Sequence, residues 1–393
     1  MRIYHLYPFY HQLGGVEKYL LDTIPIQKQS GHEIFLIGGE FDDQVTLNFE
    51  HSKIFFIKRP LFLVAITFAI SAQIFLARLL NLSRGKRYIT HAQGASCFSS
   101  DVVTAHSCHK AWFFLSLKAT KTLSVPWLKK ILNPIHYLTI FIESIQYRPN
   151  GKAHIIAISD AVKGELTRFF GLPADRITVI HSGVDLSRYS MSARDERRLR
   201  IRRLHGFSDS DLVMIFVANE FRRKGLKTII EAMSEIESPD VKLLVVGRDN
   251  PAEFQSAAAA RGISGRVVFA GPTPDVADYY AASDIFVFPT LYEPFGLVIT
   301  EALACGLPVI TSKLAGAAEL LTSGEDSILL ENPIDPKELR DAITRLINPL
   351  TRERVTKAGL MTASKHSVEQ VVRRIDHVYE LVSKSKYDAG LSN

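Results

Sequence analysis

Two glutamates, Glu293 and Glu301, stand eight residues apart in the segment EPFGLVITE, which follows an apolar run of strand length. This spacing predicts that Glu293 lies on a strand-to-helix loop and that Glu301 lies about two turns into the helix. The N–H groups of Gly296, Leu297 and Val298 would then lack intrahelical acceptors and face an anion such as a phosphate. A carboxylate in the position of Glu301 would accept hydrogen bonds from ribose hydroxyls, as acidic residues do in dinucleotide folds.

A basic cluster precedes a second helix. Arg222, Arg223 and Lys224 stand directly before Gly225, after another apolar strand pattern. Arginine offers a planar fork of donors and lysine a compact charge, so this group suits a leaving diphosphate. We assign Arg223 and Lys224 to the diphosphate and keep Arg222 in reserve. The alternative interpretation is an exposed basic turn.

Two weaker elements lie in the first half of the chain. Gly14 and Gly15 open a helix after the first strand, where a glycine pair lets backbone N–H groups face a phosphate. His106 closes a later strand, and the carboxyl ends of strands are where open α/β sheets place ligands. Its imidazole would hydrogen-bond a sugar hydroxyl, or its backbone would lie near a reacting centre. For His91, His109 and His136 a structural role is the better interpretation.

These motifs resemble the signature of the retaining family 4 glycosyltransferases of the GT-B fold. The likeness rests on Glu293–Glu301, on the run ALACGLPV at 302–309 and on the run YYAASDIFVFP at 279–289. It extends in order from about Phe216 to Leu330, with a weaker echo in the first half of the chain. The form of the segment Asn219–Gly225 is closer to the lipopolysaccharide-core glucosyltransferases of that family than to its mannosyltransferases.

The resemblance implies a role for each motif: Glu293 approaches the hydroxyls of the donor sugar and Glu301 holds the ribose. The expected catalytic residues are His106, Arg223, Lys224 and Glu293, and the expected donor-binding residues are Gly14, Gly15, Arg223, Lys224, Gly296, Leu297, Val298 and Glu301. The resemblance further implies retention at the anomeric carbon, a UDP-hexose donor with GDP-mannose second, and no metal or other cofactor. The expected acceptor is a glycan or glycolipid of lipopolysaccharide or another cell-surface polysaccharide.

The chain departs from the family pattern at two places. It has HSGVD at 181–185 where the family commonly has Asn-Gly-Val-Asp, and Ala218-Asn219 where the family commonly has Gly-Arg. The positive charge of the second motif must therefore come from the later basic cluster. Asp209 and Asp211 spell the Asp-x-Asp of metal-dependent glycosyltransferases, but no catalytic residues accompany them and we interpret them as a turn.

The elements that position these motifs follow from the alternation of apolar runs with helical patterns, which predicts βαβ units and parallel sheets. Strands are expected at 3–7, 33–38, 54–57, 88–91, 102–105, 155–158 and 177–180, and then at 212–218, 241–247, 266–270, 285–289, 308–311 and 327–330. The arginine-rich stretch 182–210 is expected to be a connector, with its arginines on a solvated helix face.

Together with the resemblance, this order predicts an α/β protein of GT-B type, with two Rossmann-like doubly wound domains facing across a cleft. The acceptor-binding domain is expected at 1–183 and the nucleotide-sugar-binding domain at 184–366, with a helix at 367–388 packing back on the first.

Composition narrows the class of protein. The formal net charge of +6 and the pI of about 9.0 favour anionic partners, but no nucleic-acid-binding signature appears and nucleic acid is not an expected partner. A nicotinamide-dependent oxidoreductase would need Gly-x-Gly-x-x-Gly after a strand, which neither half carries. A non-catalytic nucleotide-sugar-binding protein stays as the alternative. Three cysteines without paired spacing and a start without signal-peptide features favour a cytoplasmic location.

Two segments leave the question of membrane contact open. Leu61–Ala77 is apolar over about the shortest length that spans a bilayer, although a helix packed on the sheet is the favoured interpretation. Between His106 and Gly151 aromatic residues mix with lysines, which is typical of a helix on an anionic membrane and equally of a core face with lysines at its edge. Peripheral contact with the cytoplasmic face of the inner membrane is one outcome of these alternatives.

Overall fold

The computed structural model describes residues 1–11, 14–82, 87–118, 120, 122–191 and 194–388. The chain divides into two compact units, one comprising Met1–Ser182 with the C-terminal segment from Val368, and the other comprising Gly183–Ser367. Each unit has its own parallel sheet and its own helices. The predicted α/β class with two Rossmann-like domains is confirmed.

The first unit is built on a seven-stranded parallel sheet. The unit has nine strands in the described residues, and seven of them form the sheet. They are β1 (Arg2–Leu6), β2 (Phe9–Tyr10), β3 (Glu33–Gly38), β4 (Glu40–Phe41), β5 (Glu50–Lys53), β6 (Tyr88–Gln93), β7 (Val102–Ala105), β8 (His154–Ala157) and β9 (Ile177–Val179). The sheet order is β5-β3-β1-β6-β7-β8-β9, and β2 pairs separately with β4. Its helices are α1 (Gly15–Gln29), α2 (Asp43–Asn48), α3 (Phe62–Leu82), α4 (His109–Lys118), α5 (Val125–Leu132), α6 (Pro134–Gln146) and α7 (Asp160–Phe170).

The second unit is built on a six-stranded parallel sheet. Its strands are β10 (Leu212–Val217), β11 (Val241–Val246), β12 (Val267–Gly271), β13 (Ile285–Phe288), β14 (Val309–Ser312) and β15 (Ser327–Leu330), in the order β12-β11-β10-β13-β14-β15. Its helices are α8 (Arg194–His205), α9 (Leu226–Ser234), α10 (Ala252–Ala260), α11 (Val276–Ala282), α12 (Leu297–Ala304), α13 (Pro336–Ile347) and α14 (Pro349–Ser364). The two central strands, β10 and β13, are apolar throughout, as expected of a parallel sheet that helices cover on both faces.

The C-terminal helix α15 (Val368–Asp388) belongs to the first unit, where it packs against α1. Its Tyr379 is fully buried and accepts a hydrogen bond from Nε2 of Gln27 on α1, at 3.2 Å. Near the end of the helix, Lys386 Nζ lies 2.9 Å from Oδ2 of Asp101. Residues more than 280 positions apart therefore complete one core.

One predicted strand is wrong in position. The expected strand at 54–57 is found four residues earlier, as β5, and it pairs with β3 at the edge of the sheet. The residues of β5 are mostly exposed and polar, whereas Ile54 and Phe56 beyond its end are buried. An edge strand is held by backbone pairing on one side, so its position does not follow the apolar side chains.

The prediction of a solvated arginine face within 182–210 is only partly correct, because Arg200 and Arg203 are exposed whereas Arg202 is buried. This stretch contains α8, which packs on α11. Arg202 is 1% exposed, and its guanidinium donates to the carbonyl oxygens of Ala282, Ser208 and Asp211 and to Oδ2 of Asp284, the last at 2.7 Å. Arg198 donates to the other oxygen of Asp284, at 2.8 Å. Arg198 and Arg202 thus stabilise the packing of α8 within the second unit, because the several N–H donors of a guanidinium match carbonyl and carboxylate acceptors.

α3 is the one helix among the described residues that is long and apolar enough to cross a membrane, judged by length and composition alone. The segment Phe62–Leu79 has a mean hydropathy of 2.0, and 28% of it is buried.

We expect that Arg202→Ala destabilises the second unit by about 3–5 kcal/mol, because it removes a buried guanidinium and leaves Oδ2 of Asp284 and three backbone carbonyls without this donor. Denaturant unfolding would measure the change. Arg203→Ala is the matched control, since Arg203 is exposed on the same helix and should change stability by less than about 0.5 kcal/mol. Equal effects of the two substitutions would contradict the packed role of Arg202.

Candidate functional site

The two strongest motifs of the second unit meet where its strand order reverses. β10 pairs with β11 on one side and with β13 on the other, so the loops that leave β10 and β13 start side by side at the carboxyl edge of the sheet. This edge is where open α/β sheets bind ligands. The loop after β10 carries the basic cluster, and the loop after β13 carries Glu293 and leads into α12.

Gly225 lets the two loops approach closely. It has a φ of +89°, in the left-handed region that favours glycine. A Cβ atom at this position would lie 2.1 Å from the carbonyl oxygen of Pro289, at the start of the neighbouring loop. Any larger residue would push the loops apart, so this glycine sets the separation of the basic cluster from Glu293.

Lys224 and Glu293 form an ion pair at this junction. The Lys224 ammonium contacts the Glu293 carboxylate, and both side chains are largely buried, at 10% and 15% exposure. Burial lowers the pKa of Lys224 well below its usual range, and the neighbouring Arg223 cation acts in the same direction. The Glu293 carboxylate, in contact with the Lys224 ammonium, compensates the positive charge of Lys224. Lys224 also lies 5.3 Å from the ring centre of Phe288 on β13.

The backbone of Glu293 is fixed from a third strand. Its N–H donates to the carbonyl of Leu314, and its carbonyl accepts from the N–H of Gly316 at 2.9 Å, both in the segment after β14. Next along the chain, Gly296 has a φ of +97° and directs the chain into α12. The loop that holds Glu293 is therefore braced on both sides before α12 begins.

The structure separates the two arginines of the basic cluster. Arg223 donates from Nη1 to the carbonyl of Tyr292 and from Nε to Oε2 of Glu220, the latter at 2.6 Å, so it bridges the two loops. This hydrogen bond lowers the pKa of the Glu220 carboxyl. Arg222 is 80% exposed and pairs instead with Glu253 at the start of α10. Of the two, Arg223 lies at the junction, and its role toward a diphosphate stays a prediction.

Glu301 is buried on α12, two turns beyond Glu293. Only 3% of it is exposed, and its Oε2 accepts a hydrogen bond from the hydroxyl of Tyr280 on α11, at 3.1 Å. Burial and the Glu301 carboxylate raise the pKa of Tyr280, so Tyr280 stays a neutral donor. The N-terminal residues of α12, Gly296, Leu297 and Val298, precede Glu301 on the same helix. Its role toward a ribose stays a prediction.

In the first unit, His106 follows β7 and contacts Gln93 at the end of β6. Its Nε2 lies 2.8 Å from Oε1 of Gln93, and the edge of its ring meets Tyr19 at 5.0 Å between ring centres. Burial lowers the pKa of His106 to about 3, so the imidazole is neutral at physiological pH. With its proton on Nε2 it donates to Gln93 and keeps Nδ1 as an acceptor.

Gly14 and Gly15 start α1 in the same unit, and residues 12–13 before them lie outside the described residues. The Glu17 carboxylate lies over Gly14, so close that a Cβ there would be 2.2 Å from its Oε2. The space around Gly15 is open. An anion approaching this turn meets the Glu17 carboxylate, so the assignment of the glycines to a diphosphate stays a prediction.

The histidines interpreted as structural, His91, His109 and His136, all have partners, as expected. His91 is buried and uses both ring nitrogens, with Nδ1 2.6 Å from the hydroxyl of Tyr379 and Nε2 2.7 Å from Oγ1 of Thr104. His136 Nδ1 lies 3.0 Å from Nε2 of His109.

In the Asp209–Asp211 turn, Asp211 accepts from the N–H of Ser208 at 2.7 Å, so this aspartate closes the turn.

Sequence reasoning missed three residues of the junction: Glu220, Tyr280 and Tyr292. Glu220 could have been found from its spacing, since it stands three residues before Arg223 and carries the opposite charge. Tyr280 lies inside the run YYAASDIFVFP at 279–289, but its contact with Glu301 spans 21 residues and follows only from the packing of α11 on the sheet. Tyr292 contributes a carbonyl, which its side chain does not reveal.

Comparison with known proteins covers both units. The family model described as Glycosyltransferase Family 4 matches residues 13–188, and the model described as Glycosyl transferases group 1 matches residues 197–380. The first match lies in the first unit apart from its last residues, and the second begins in α8 and covers the whole junction of the second unit.

Among curated proteins, the chain is similar to an uncharacterized glycosyltransferase of Methanocaldococcus jannaschii, with 26% identity over 64% of each chain. It is 32% identical to a D-inositol 3-phosphate glycosyltransferase of Rhodococcus opacus over 47% of this chain and 45% of the relative. It is 24% identical to the lipopolysaccharide glucosyltransferase WaaG of Escherichia coli over 54% of this chain and 57% of the relative. The chain thus matches about half to two thirds of the length of these relatives.

Among solved structures, the fold matches the crystal structure of WaaG with a TM-score of 0.80 and 18% identity, over 97% of this chain and 99% of the other. It matches Anabaena HepE in complex with UDP and glucose with a TM-score of 0.69 and 20% identity, over 97% and 99% of the two chains. At these identities the likeness establishes the fold.

A double-mutant cycle tests the Lys224–Glu293 pair without any ligand. Lys224→Met and Glu293→Gln should each destabilise the unit, because each leaves a largely buried charge without its partner. The double variant should lose less than the sum of the two by about 1–3 kcal/mol, measured by denaturant unfolding. Additive losses would show that the two side chains do not interact in solution.

Proposed function

This chain belongs to the family 4 glycosyltransferases of the GT-B fold, and from that premise we propose that it transfers a hexose from a nucleoside diphosphate sugar to a hydroxyl group. The acceptor is a glycan or glycolipid used in the synthesis of lipopolysaccharide or another cell-surface polysaccharide. The observation that carries the proposal is the junction in the second unit. There, two cations and the start of α12 lie at the carboxyl edge of the sheet.

The junction suits a diphosphate because its positive charge is already in place. Arg223 is held by Glu220 and by a backbone carbonyl, and Lys224 is held in a largely buried position. Groups fixed before the reaction need no reorganisation when negative charge develops on the leaving group. The N-terminus of α12 adds unpaired N–H donors and the positive end of the helix dipole.

The reaction forms a bond between the acceptor oxygen and the anomeric carbon while the bond from that carbon to the diphosphate oxygen breaks. The bonding electrons leave with the nucleoside diphosphate, and the sugar passes through an oxocarbenium-like state. We propose retention by attack on the face of the leaving group, with the acceptor proton passing to the departing phosphate oxygen. Glu293 then contacts the sugar hydroxyls, and neutral His106 accepts a hydrogen bond from the sugar through Nδ1.

The donor is proposed to be a UDP-hexose, with GDP-mannose as the second choice. The likeness to the glucosyltransferase WaaG and to HepE in complex with UDP and glucose supports this order. We propose that no metal or other cofactor takes part, since Arg223, Lys224 and the start of α12 supply the positive charge. We propose a cytoplasmic location, in keeping with Cys97, Cys108 and Cys305, which are all free and buried.

Thermal unfolding with nucleotides tests the donor. UDP should raise the melting temperature more than GDP, ADP or NAD, because a ligand that binds only the folded protein stabilises it. The shift should persist with a chelator. Stabilisation by NAD alone would overturn the proposed function, and a shift that needs a divalent metal would overturn metal independence.

Removing Lys224 tests the role of the junction in turnover. Lys224→Ala should lower kcat by about 10²–10³, the usual cost of losing one preorganised donor to a developing negative charge. Arg222→Ala is the matched control because Arg222 is the adjacent cation but pairs with Glu253, away from the junction. Circular dichroism would establish that both variants fold. Turnover of Lys224→Ala near that of the wild type would contradict the assignment.

Product analysis separates the stereochemical part of the proposal from the rest. Retention predicts that the new glycosidic bond has the anomeric configuration of the donor, which NMR coupling constants of the product report directly. An inverted product would refute front-face attack and leave transfer itself intact. Donor binding without any product, with a panel of acceptors, would favour the non-catalytic alternative.

A further inference from the structure

α3 is apolar on its outer side as well as on its inner side. Phe68, Ala69 and Ala72 are fully buried on the inner side. On the outer side, Ile70 and Ile74 are 45% and 51% exposed, one turn apart, and both are branched apolar residues. A helix whose outer side faces only water normally carries polar residues there, so this outer side is built for another environment.

The polar groups of α3 are committed to the first unit. Thr67 Oγ1 accepts from the N–H of Ile57 at 3.0 Å, and Gln73 Oε1 accepts from the N–H of Ser99 at 3.0 Å. The helix also packs along α6. If α3 crossed a bilayer, it would either carry the loops of Ile57 and Ser99 into hydrocarbon or leave their N–H groups without these acceptors, and unsatisfied backbone groups are costly there. α3 therefore lies along the surface of its unit and presents one apolar side outward.

α5 repeats the pattern in a shorter form. None of its residues is buried, and Val125, Leu128 and Leu132 are 65%, 41% and 76% exposed. These three stand at i, i+3 and i+7, so they share one face of the helix. Lys129 is exposed, and Lys130 Nζ donates to the carbonyl of Ser116 on α4 at 3.0 Å. α5 is amphipathic with its apolar face turned away from the protein.

α6 joins these two helices into one surface. It packs against both α3 and α4, and the hydroxyl of its Tyr137 donates to the carbonyl of Ile131 on α5, at 2.8 Å. Tyr137 and Phe141 are themselves 50% and 52% exposed. We call the whole the α3–α6 surface, defined by Ile70, Ile74, Leu128, Leu132, Tyr137 and Phe141.

The segment of the chain that carries this surface is strongly basic. Residues 51–150 contain 13 lysines and arginines but two acidic residues, whereas the rest of the chain contains 34 basic and 39 acidic residues. Of the two acidic residues, Asp101 pairs with Lys386. Glu143 is buried, accepts from the N–H groups of His109 and Lys110, and has its pKa raised by burial to about 7. Asp101 is paired with a lysine and Glu143 is buried, so neither offsets the basic charge of the segment.

We propose that the α3–α6 surface docks on an anionic lipid bilayer, with α3 and α5 lying in the plane of the membrane. The exposed apolar side chains enter the boundary between headgroups and acyl chains, and the surrounding lysines and arginines meet the anionic headgroups. A second copy of the chain would bring the same positive charge to the same surface, so self-association is disfavoured. This inference does not rest on the proposed transferase activity.

Vesicle flotation without any donor tests the docking. The purified chain should float with vesicles of phosphatidylglycerol and phosphatidylcholine and not with phosphatidylcholine alone, and high salt should weaken the binding because it screens the charges. Ile70→Ser with Ile74→Ser should lower the partition coefficient about tenfold or more, since both side chains are removed from the apolar contact. Lys118→Glu, at the exposed end of α4, combined with Lys129→Glu on α5 should lower the partition coefficient on anionic vesicles by a similar factor.

Matched controls come from the second unit. Leu350→Ser with Met361→Ser removes two side chains that are 78% and 58% exposed, and Lys357→Glu with Lys365→Glu reverses two exposed charges. Both control variants should float like the wild type. Failure of the wild type to bind anionic vesicles, or equal losses in the surface and control variants, would overturn the proposal. A dimer that the Ile70→Ser, Ile74→Ser variant abolishes in sedimentation would assign the surface to self-association instead.

Discussion

The reversal of strand order between β10 and β13 is the constraint on which the candidate site depends. The chain leaves β10, crosses to β11 and β12, and returns on the other side of β10 to form β13. Because each crossover covers a different face of the sheet, the loops after β10 and β13 diverge and leave a gap between them. Lys224 and Glu293, which stand 69 residues apart in sequence, meet across that gap. Gly225 sets the width of this gap, because a Cβ atom at this position would lie too close to the carbonyl oxygen of Pro289.

The sequence was sufficient to predict the motifs of this site and the elements that carry them. Apolar runs identified the central strands because these are buried on both faces, and the start of α12 followed from the strand and glycine before it. The partners of each side chain did not follow. Arg222 and Arg223 are adjacent and chemically identical, and only the fold places Glu253 beside one and the Tyr292 carbonyl beside the other.

The errors have a common physical origin. Charge along the sequence indicates where a residue would prefer to lie in isolation, but a guanidinium can be buried when the fold supplies acceptors for its donors. Arg202 has four such acceptors, three of them carbonyls that its neighbours in sequence do not reveal. The misplaced strand β5 shows the converse, because backbone pairing with β3 holds polar residues in a strand. In both cases hydrogen bonds to backbone groups determine where the residue lies, and the pattern of side chains along the sequence does not reveal them.

A largely buried ion pair is a costly way to stabilise a fold, because apolar residues of similar volume are often as good or better. The Lys224–Glu293 pair therefore calls for a reason other than stability. In the proposed reaction, Glu293 holds the ammonium in place before the donor arrives, and the diphosphate then offers Lys224 a second anionic partner. The site thus keeps a partly desolvated cation ready for the charge that develops as the sugar departs. A site of this kind exchanges stability for an available cation, which is a common relation between stability and function.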